Sequence, residues 1–140
     1  AKAKIKDERV EFRKADLTAE WNIENNYADL ITCSLVLEHI EKLNFVFNQA
    51  NKKLKNGGLF FISELHPFKQ YSGSKARFDR ENGTQELETY VHHFSEYLEV
   101  ANENGFELLE LKEWFDEENK SGIPRLIGIT LRKSTVGNTV

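Results

Sequence analysis

Two kinds of hydrophobic pattern alternate along the chain. A mostly apolar run at residues 28–37 is typical of a strand buried on both faces of a parallel sheet. Residues 42–55 place their apolar side chains at spacings of three and four, and Gly57-Gly58 follow, which predicts an amphipathic helix and its stop. The continuous apolar run at residues 59–62 predicts the next strand. This alternation of strand and helix favours an α/β fold.

The flanking segments predict further elements. A short alternating run at residues 10–12 predicts a first strand. After an irregular stretch, residues 95–105 predict a helix with Ser95 as N-cap and Gly105 as stop. Two final strands, at residues 106–115 and 125–132, have no helix between them and must pair antiparallel or lie apart. The whole order is typical of a doubly wound sheet except at this last hairpin.

Composition narrows the possible partners and compartments. The 140 residues carry a net charge of −4, with Lys and Arg scattered among acidic residues, which argues against nucleic acid as a partner. A single cysteine, Cys33, favours a reducing cytoplasm, and no apolar run is long enough to span a membrane. The chain lacks methionine and opens within what the pattern predicts to be a helix end, so we expect a fragment.

Two motifs carry a resemblance to a known family. Asp29-Leu30-Ile31 followed by Leu37-Glu38-His39-Ile40 is similar to the fourth-strand motif of the class I S-adenosylmethionine-dependent methyltransferases. At the expected distance, Leu54-Lys55-Asn56-Gly57-Gly58 resembles the turn before their fifth strand, with Asn56 in place of the usual proline.

Weaker matches extend the resemblance towards both ends of the chain. Residues 10–17 resemble the family's third strand and the acidic residue after it, and Gly105-Phe106-Glu107 resembles the entry into the sixth strand. The family's sheet has strand order 3-2-1-4-5-7-6 with the last strand antiparallel. The resemblance therefore implies a Rossmann-like sheet truncated at the N-terminus, with a partial domain at residues 1–133, a lid-like insertion near 68–92 and a flexible tail at 134–140.

The first two strands of the family have no counterpart in this sequence. Their glycine-rich cofactor loop is absent, so we expect this chain alone to bind S-adenosyl-L-methionine weakly or not at all. Without those strands, the strand at residues 28–37 would have an unpaired edge. We expect either the strand around Val10 to pair with this edge or two copies of the chain to form a homodimer across it.

The resemblance implies a cofactor site at the carboxyl ends of the strands. Asp16 would accept a hydrogen bond from the adenine amino group, although it is equally consistent with an ordinary cap, and Leu17 beside it would also belong to the cofactor site. Cys33, Ser34 and Leu35 would line the cleft. A lone cysteine in an apolar strand is more typical of the core than of a nucleophile, and adjacent His92 and His93 lack the spacing of metal ligands.

Candidate catalytic and substrate residues follow the two central strands. His66 is the preferred general base, with Glu64 beside it, while His39 is a second candidate whose alternative role is helix capping or packing. The insertion is either a solvated loop or a substrate lid. If it is a lid, the residues expected to contact substrate are Tyr71, Arg77, Tyr90 and His92.

The resemblance implies transfer of a methyl group from S-adenosyl-L-methionine to a small molecule, with S-adenosyl-L-homocysteine as product. Such a displacement needs positioning of two partners more than a dedicated catalytic pair. The alternative is a non-catalytic methyltransferase-like module for interaction or self-association. Other doubly wound folds fit less well because they lack the terminal antiparallel hairpin and the Leu-Glu-His sequence.

Overall fold

A four-stranded mixed sheet forms the centre of the computed structural model, which describes residues 6–71, 77–80, 83–86, 89–116 and 122–135. The elements in chain order are β1 (Ala28–Ser34), a 3-10 helix (Leu37–His39), α1 (Leu43–Lys53), β2 (Leu54–Leu65), α2 (Pro67–Tyr71), β3 (Arg77–Arg80), β4 (Gly83–Glu86), α3 (Phe94–Glu103), β5 (Phe106–Trp114) and β6 (Leu126–Lys133).

The strand order of the main sheet is β1-β2-β6-β5. β1 and β2 are parallel, β6 is antiparallel to β2, and β5 is antiparallel to β6. This is the 4-5-7-6 part of the order that the family resemblance implied, with the last strand of the chain antiparallel. The predicted α/β fold class and terminal hairpin are therefore confirmed.

Aromatic rings connect the helices to the sheet. The ring of Phe47 on α1 meets Phe60 of β2 edge-on at 5.4 Å between centroids, and Phe106 at the start of β5 lies 5.7 Å from Phe60. Tyr97 and Ala101 of α3 join the same buried cluster. Interlocking rings of this kind add to the stability that their buried area provides. The core thus lies between the sheet and the helices α1 and α3. It fixes the position of β2, the strand that leads into the candidate site.

Several predicted boundaries are wrong. Residues 10–12 form no strand, and residues 6 and 7 are not helical, while residues 1–5 lie outside the described part. Gly57 and Gly58 do not end α1 but lie within β2, where Gly57 has a φ of 79° and the pairing with β1 is irregular. A positive φ suits glycine, so these residues make a bulge in the strand rather than a helix stop.

The predictions of burial on both faces of β1 and of the N-cap of α3 are also wrong. β1 is not buried on both faces, because Leu30 is 55% exposed. β1 ends at Ser34, and the rest of the predicted strand forms a bend and the 3-10 helix. Ser95 is not the N-cap of α3; His93 takes that position, and it makes no side-chain capping bond.

The insertion contains regular structure that the sequence pattern did not indicate. α2 starts at Pro67, a favoured first residue of a helix, and β3 and β4 form an antiparallel hairpin in which Arg77 pairs with Glu86. The residues of the predicted lid at 72–76, 81–82 and 87–88, and those of the predicted tail at 136–140, lie outside the described residues. In the part of the chain that is described, no helix has the length and apolar character needed to cross a membrane.

Candidate functional site

β1 and β2 end side by side and lead into a tight turn. Ser34 pairs with Ser63, and the backbone N–H of Leu35 donates to the Ser63 carbonyl at 2.8 Å. Leu35 then adopts a φ of 54°, a left-handed conformation that is unfavourable for a branched side chain. Residues 35–38, here called the strand-end turn, therefore need support from their surroundings.

That support comes from the carboxylate of Glu64, near the end of β2. The side chain is 1% exposed, and its two oxygens accept the backbone N–H groups of Val36 at 3.1 Å and Glu38 at 3.4 Å. Burial raises the pKa of Glu64 to about 7; the backbone donors, that of Leu37 included, act in the opposite direction, and nearby Glu38 raises it further. Glu64 thus faces inward to the turn, not outward to a ligand.

Neighbouring segments hold the outer side of the same turn. Gln70 of α2 donates its side-chain amide to the Glu38 carboxylate at 3.4 Å, and the Tyr90 N–H donates to the Glu38 carbonyl at 2.7 Å. Buried His92 donates from Nε2 to the carbonyls of Leu37, in the turn, at 3.1 Å and of Ile40 at 2.6 Å, while its Nδ1 lies 2.8 Å from the Glu96 carboxylate. Tyr90 and His92, predicted to contact substrate, therefore connect the insertion to the turn.

His66, the preferred candidate base, is enclosed. Its side chain is 0% exposed, and Nε2 donates to Glu113 of β5 at 2.6 Å. The Phe68 backbone N–H donates to Nδ1 at 3.1 Å, which occupies the lone pair that a base would use. In this arrangement His66 fixes the end of β2 to β5 and to α2. Access to a substrate would require both bonds to open.

An exposed aromatic pair lies nearby. The Tyr71 hydroxyl and Nδ1 of His93 are hydrogen-bonded at 2.5 Å, and the two ring centroids are 5.6 Å apart. Tyr71 is 53% exposed, and the half-exposed ring of Phe68 lies 6.1 Å from it. The sequence pattern singled out Tyr71 but not His93 or Phe68. All three residues lie within or directly after the insertion that follows β2, and this position is the signal in the sequence that connects them.

The remaining catalytic candidate, His39, lies on the 3-10 helix. Its Nε2 is 3.8 Å from the Glu38 carboxylate, and about a quarter of its side chain is exposed. This placement beside the strand-end turn is consistent with either role considered from sequence, that of base or of packing residue.

Of the predicted cofactor residues at the end of β1, Cys33 is less exposed than Ser34 and Leu35. Cys33 is partly buried, and its burial together with the charge of Glu64 raises the pKa of the thiol to about 12. The protonated thiol is a poor nucleophile. Ser34 and Leu35 are exposed at the carboxyl ends of the parallel strands, where open α/β sheets bind ligands.

The other predicted cofactor residues, Asp16 and Leu17, lie in a separate turn. The Asp16 carboxylate accepts the backbone N–H and the hydroxyl of Thr18 at 2.9 and 2.6 Å, and these bonds hold the pKa of Asp16 below its usual value. Leu17 packs against the core, while Thr18 and Ile40 line a cavity of about 340 Å³. The structure does not bring this turn into hydrogen-bond contact with the end of β1.

A larger cleft separates the N-terminal segment from the free edge of β1. It has a volume of about 820 Å³ and is lined by Arg9, Arg13 and Tyr27 together with Leu30 and Ile31 of β1. Among the described residues, β1 pairs only with β2. The predicted pairing of the Val10 segment with this edge is therefore wrong, because that segment stands across a cleft instead of forming a strand.

The described residues offer no metal centre: no group of three or more His, Cys, Asp or Glu side chains among them could hold an ion. The described geometry places exposed Ser34 and Leu35 at this turn, and Tyr71 and His93 directly follow in the chain the two residues, Gln70 and His92, that contact it.

Comparison with known proteins points to one fold. Residues 1–62 match a family model described as a methyltransferase domain. A solved S-adenosylmethionine-dependent methyltransferase from Listeria monocytogenes shares 18% identity, with a TM-score of 0.79 over 95% of this chain and 73% of its own. Another from Mesorhizobium loti shares 16% identity, with a TM-score of 0.74 over 93% of this chain and 73% of its own.

The same fold also occurs in a protein described by a different reaction. The 4+2 cyclase SpnF shares 15% identity, with a TM-score of 0.65 over 90% of this chain and 57% of its own. None of the curated protein sequences matches this chain. Fold similarity alone consequently does not fix the chemistry, which has to be argued from the site.

Proposed function

Because this chain has the class I methyltransferase fold and its first 62 residues match the methyltransferase domain, we propose that it provides part of a site for S-adenosyl-L-methionine-dependent methylation of a small molecule. S-adenosyl-L-homocysteine would be the product. Exposed Ser34 and Leu35, at the paired ends of β1 and β2, carry this proposal. Both solved methyltransferases are described as dependent on the same cofactor.

The residues beside the turn fit such a cofactor. Gln70 has a buried side-chain oxygen with no hydrogen-bond partner in the described part of the chain, and its amide nitrogen binds Glu38. An unpaired buried acceptor is costly unless a donor occupies it, and the ammonium group of the cofactor is such a donor. Leu35 offers an apolar surface at the same edge, and Ser34 a hydroxyl.

Tyr71 and His93 would form the side of the site that binds the methyl acceptor. When bound, the cofactor supplies an activated methyl group, and the nucleophile displaces the sulfide in line with the breaking bond. A nucleophile that carries a proton needs an acceptor for it. The Tyr71 hydroxyl would take that proton as it passes its own proton to Nδ1 of His93, and both residues are exposed whereas His66 is buried. The Phe68 ring would exclude water beside them.

Nuclear magnetic resonance titration with S-adenosylhomocysteine tests this proposal, because it detects binding even at millimolar dissociation constants. We expect the amide signals of Ser34, Leu35 and Gln70 to shift together, while those at the opposite end of the sheet, such as Glu107, stay in place. Shifts confined to other surfaces, or none at millimolar ligand, would reject the proposal.

A matched pair of variants sharpens the test. Leu35→Glu and Leu108→Glu each add a charge at an exposed leucine, the first at the strand-end turn and the second on β5. We expect only Leu35→Glu to weaken binding, by tenfold or more, since neither side chain belongs to the core. An equal effect of the two would mean that the ligand does not use the turn.

The absence of a glycine-rich loop from this sequence supports a further part of the proposal, that the chain alone binds the cofactor weakly. A micromolar dissociation constant in the same titration would contradict it. If no ligand binds at all, a module for interaction or self-association becomes the better explanation, since β1 has a free edge in the described sheet.

A further inference from the structure

We infer that Glu64 is a positioning residue whose ionisation sets the order of the strand-end turn (residues 35–38), so that ligand binding at this turn depends on pH. The inference rests on the proposed function only for its ligand. The coupling between the carboxylate and the turn follows from contacts within the chain and can be tested without any ligand.

Both carboxylate oxygens of Glu64 bind the turn. One accepts from Val36 and the other from Glu38, so both act as acceptors towards successive parts of one turn. An ionised carboxylate can accept with both oxygens, and such charge-assisted bonds are stronger than neutral ones. A proton on either oxygen removes part of that acceptor capacity and the charge assistance, and it therefore weakens the hold on at least one backbone donor.

The bonds to Glu64 oppose a strained backbone at Leu35. This residue has a φ of 54°, and its N–H donates to the Ser63 carbonyl. A leucine in this conformation persists because the residues after it are fixed. Loosening the bonds at Val36 and Glu38 therefore lets Leu35 relax towards an extended conformation, which moves the side chain proposed to contact ligand.

Titratable groups from three elements surround the carboxylate. Glu38 from the 3-10 helix raises the pKa of Glu64, while Cys33 from β1 and Tyr97 from α3 are close enough for the charge of Glu64 to raise their own pKa values. None is a cation, and burial together with the charge of Glu38 raises the pKa of Glu64 to about 7. Small changes of pH near neutrality thus change the fraction of molecules in which the turn is fully held.

The test follows the amide signals of Val36, Leu37 and Glu38 between pH 5 and 8.5 in the wild type, in Glu64→Gln and in Glu107→Gln. The last variant makes the same change at an exposed carboxylate at the opposite end of the sheet. We expect the three amides to titrate together near pH 7 in the wild type and in Glu107→Gln, and to show no such transition in Glu64→Gln.

Ligand binding provides the second readout. We expect the affinity for S-adenosylhomocysteine to fall several-fold from pH 8 to pH 6 in the wild type and to stay low and flat in Glu64→Gln. Amides that do not titrate, or that still titrate in Glu64→Gln, would overturn the inference. If the amides titrate as expected but no ligand binds at any pH, the inference holds and the proposed function fails. A Glu64→Gln chain that does not fold leaves the wild-type titration as the deciding result.

Discussion

The indole ring of Trp114 lies directly over Gly128, on the strand next to it. A Cβ atom at Gly128 would come within 2.6 Å of the ring atom Cζ3 and within 3.4 Å of Phe61. Glycine at this position therefore serves close packing between β5, β6 and β2, because any side chain would displace the ring. The contact lies one residue from Ile127, which pairs with Glu64.

We expect Gly128→Ala to destabilise the protein by about 1–2 kcal/mol, since overpacking costs this much even when a ring can move aside. Urea unfolding measures the change. In a Trp114→Ala background the same substitution should cost clearly less, because the obstructing ring is gone. An equal cost in both backgrounds would show that the ring is not the cause.

Glu113→Ala is expected to destabilise the protein by about 1–3 kcal/mol, because it leaves the buried Nε2–H of His66 without an acceptor. Glu110→Ala is the matched control on the same strand. The Glu110 carboxylate is exposed, and its ion pair with Lys112 is long, at 4.0 Å. Loss of the Glu110 side chain should therefore cost less than about 0.5 kcal/mol. Thermal unfolding of the two variants makes the comparison, and similar losses would contradict the structural role assigned to His66.

The sheet could be predicted from the sequence because its signals are local and redundant. Apolar runs and helical spacing defined β2 and α1, and the lack of a helix between β5 and β6 required a hairpin or separation. The strand predicted at residues 10–12 had only three alternating residues to support it. Both Val10 and Phe12 are more than a third exposed, so burial did not stabilise a strand there.

The resemblance predicted where a candidate site would lie, at the carboxyl ends of β1 and β2. It could not show which side chains turn inward there. His66 is buried because Glu113, 47 residues later in the chain, meets its Nε2. Partners so far apart leave no trace in local periodicity, and the Tyr71–His93 pair was missed for the same reason.

The titration of Glu64 predicts the direction in which stability changes with pH. The pKa is raised from 4.5 to about 7 in the folded protein, so between these values the folded state holds a proton that the unfolded state has lost. Stability should therefore fall as pH rises through this window, by about 3 kcal/mol at most, and level off above pH 7.

Urea unfolding between pH 4.5 and pH 8 measures this slope. The informative quantity is the difference in unfolding free energy between wild type and Glu64→Gln, since contributions from groups remote from Glu64 cancel in it. We expect the difference in unfolding free energy to vary with pH only within the window. This fall in global stability is compatible with a tighter turn at high pH, because ionisation costs burial energy while it strengthens the bonds to Val36 and Glu38. If the difference in unfolding free energy does not vary with pH, Glu64 has the same pKa in the folded and the unfolded state.

The free edge of β1 predicts self-association. In the described sheet, β1 pairs on one side only. It exposes Leu30 beside the cleft, and exposed Tyr27 directly precedes the strand. An edge of this kind pairs readily with another strand, and a charge at the edge opposes such pairing. We expect sedimentation equilibrium to show a monomer–dimer equilibrium that Leu30→Lys shifts towards monomer by tenfold or more. Leu111→Lys is the control: it places the same charge at an exposed leucine on β5, the other edge strand of the described sheet, and should leave the equilibrium unchanged if copies pair through β1. A wild-type chain that stays monomeric at high concentration would exclude the homodimer, and dimerisation weakened equally by both variants would place the interface elsewhere.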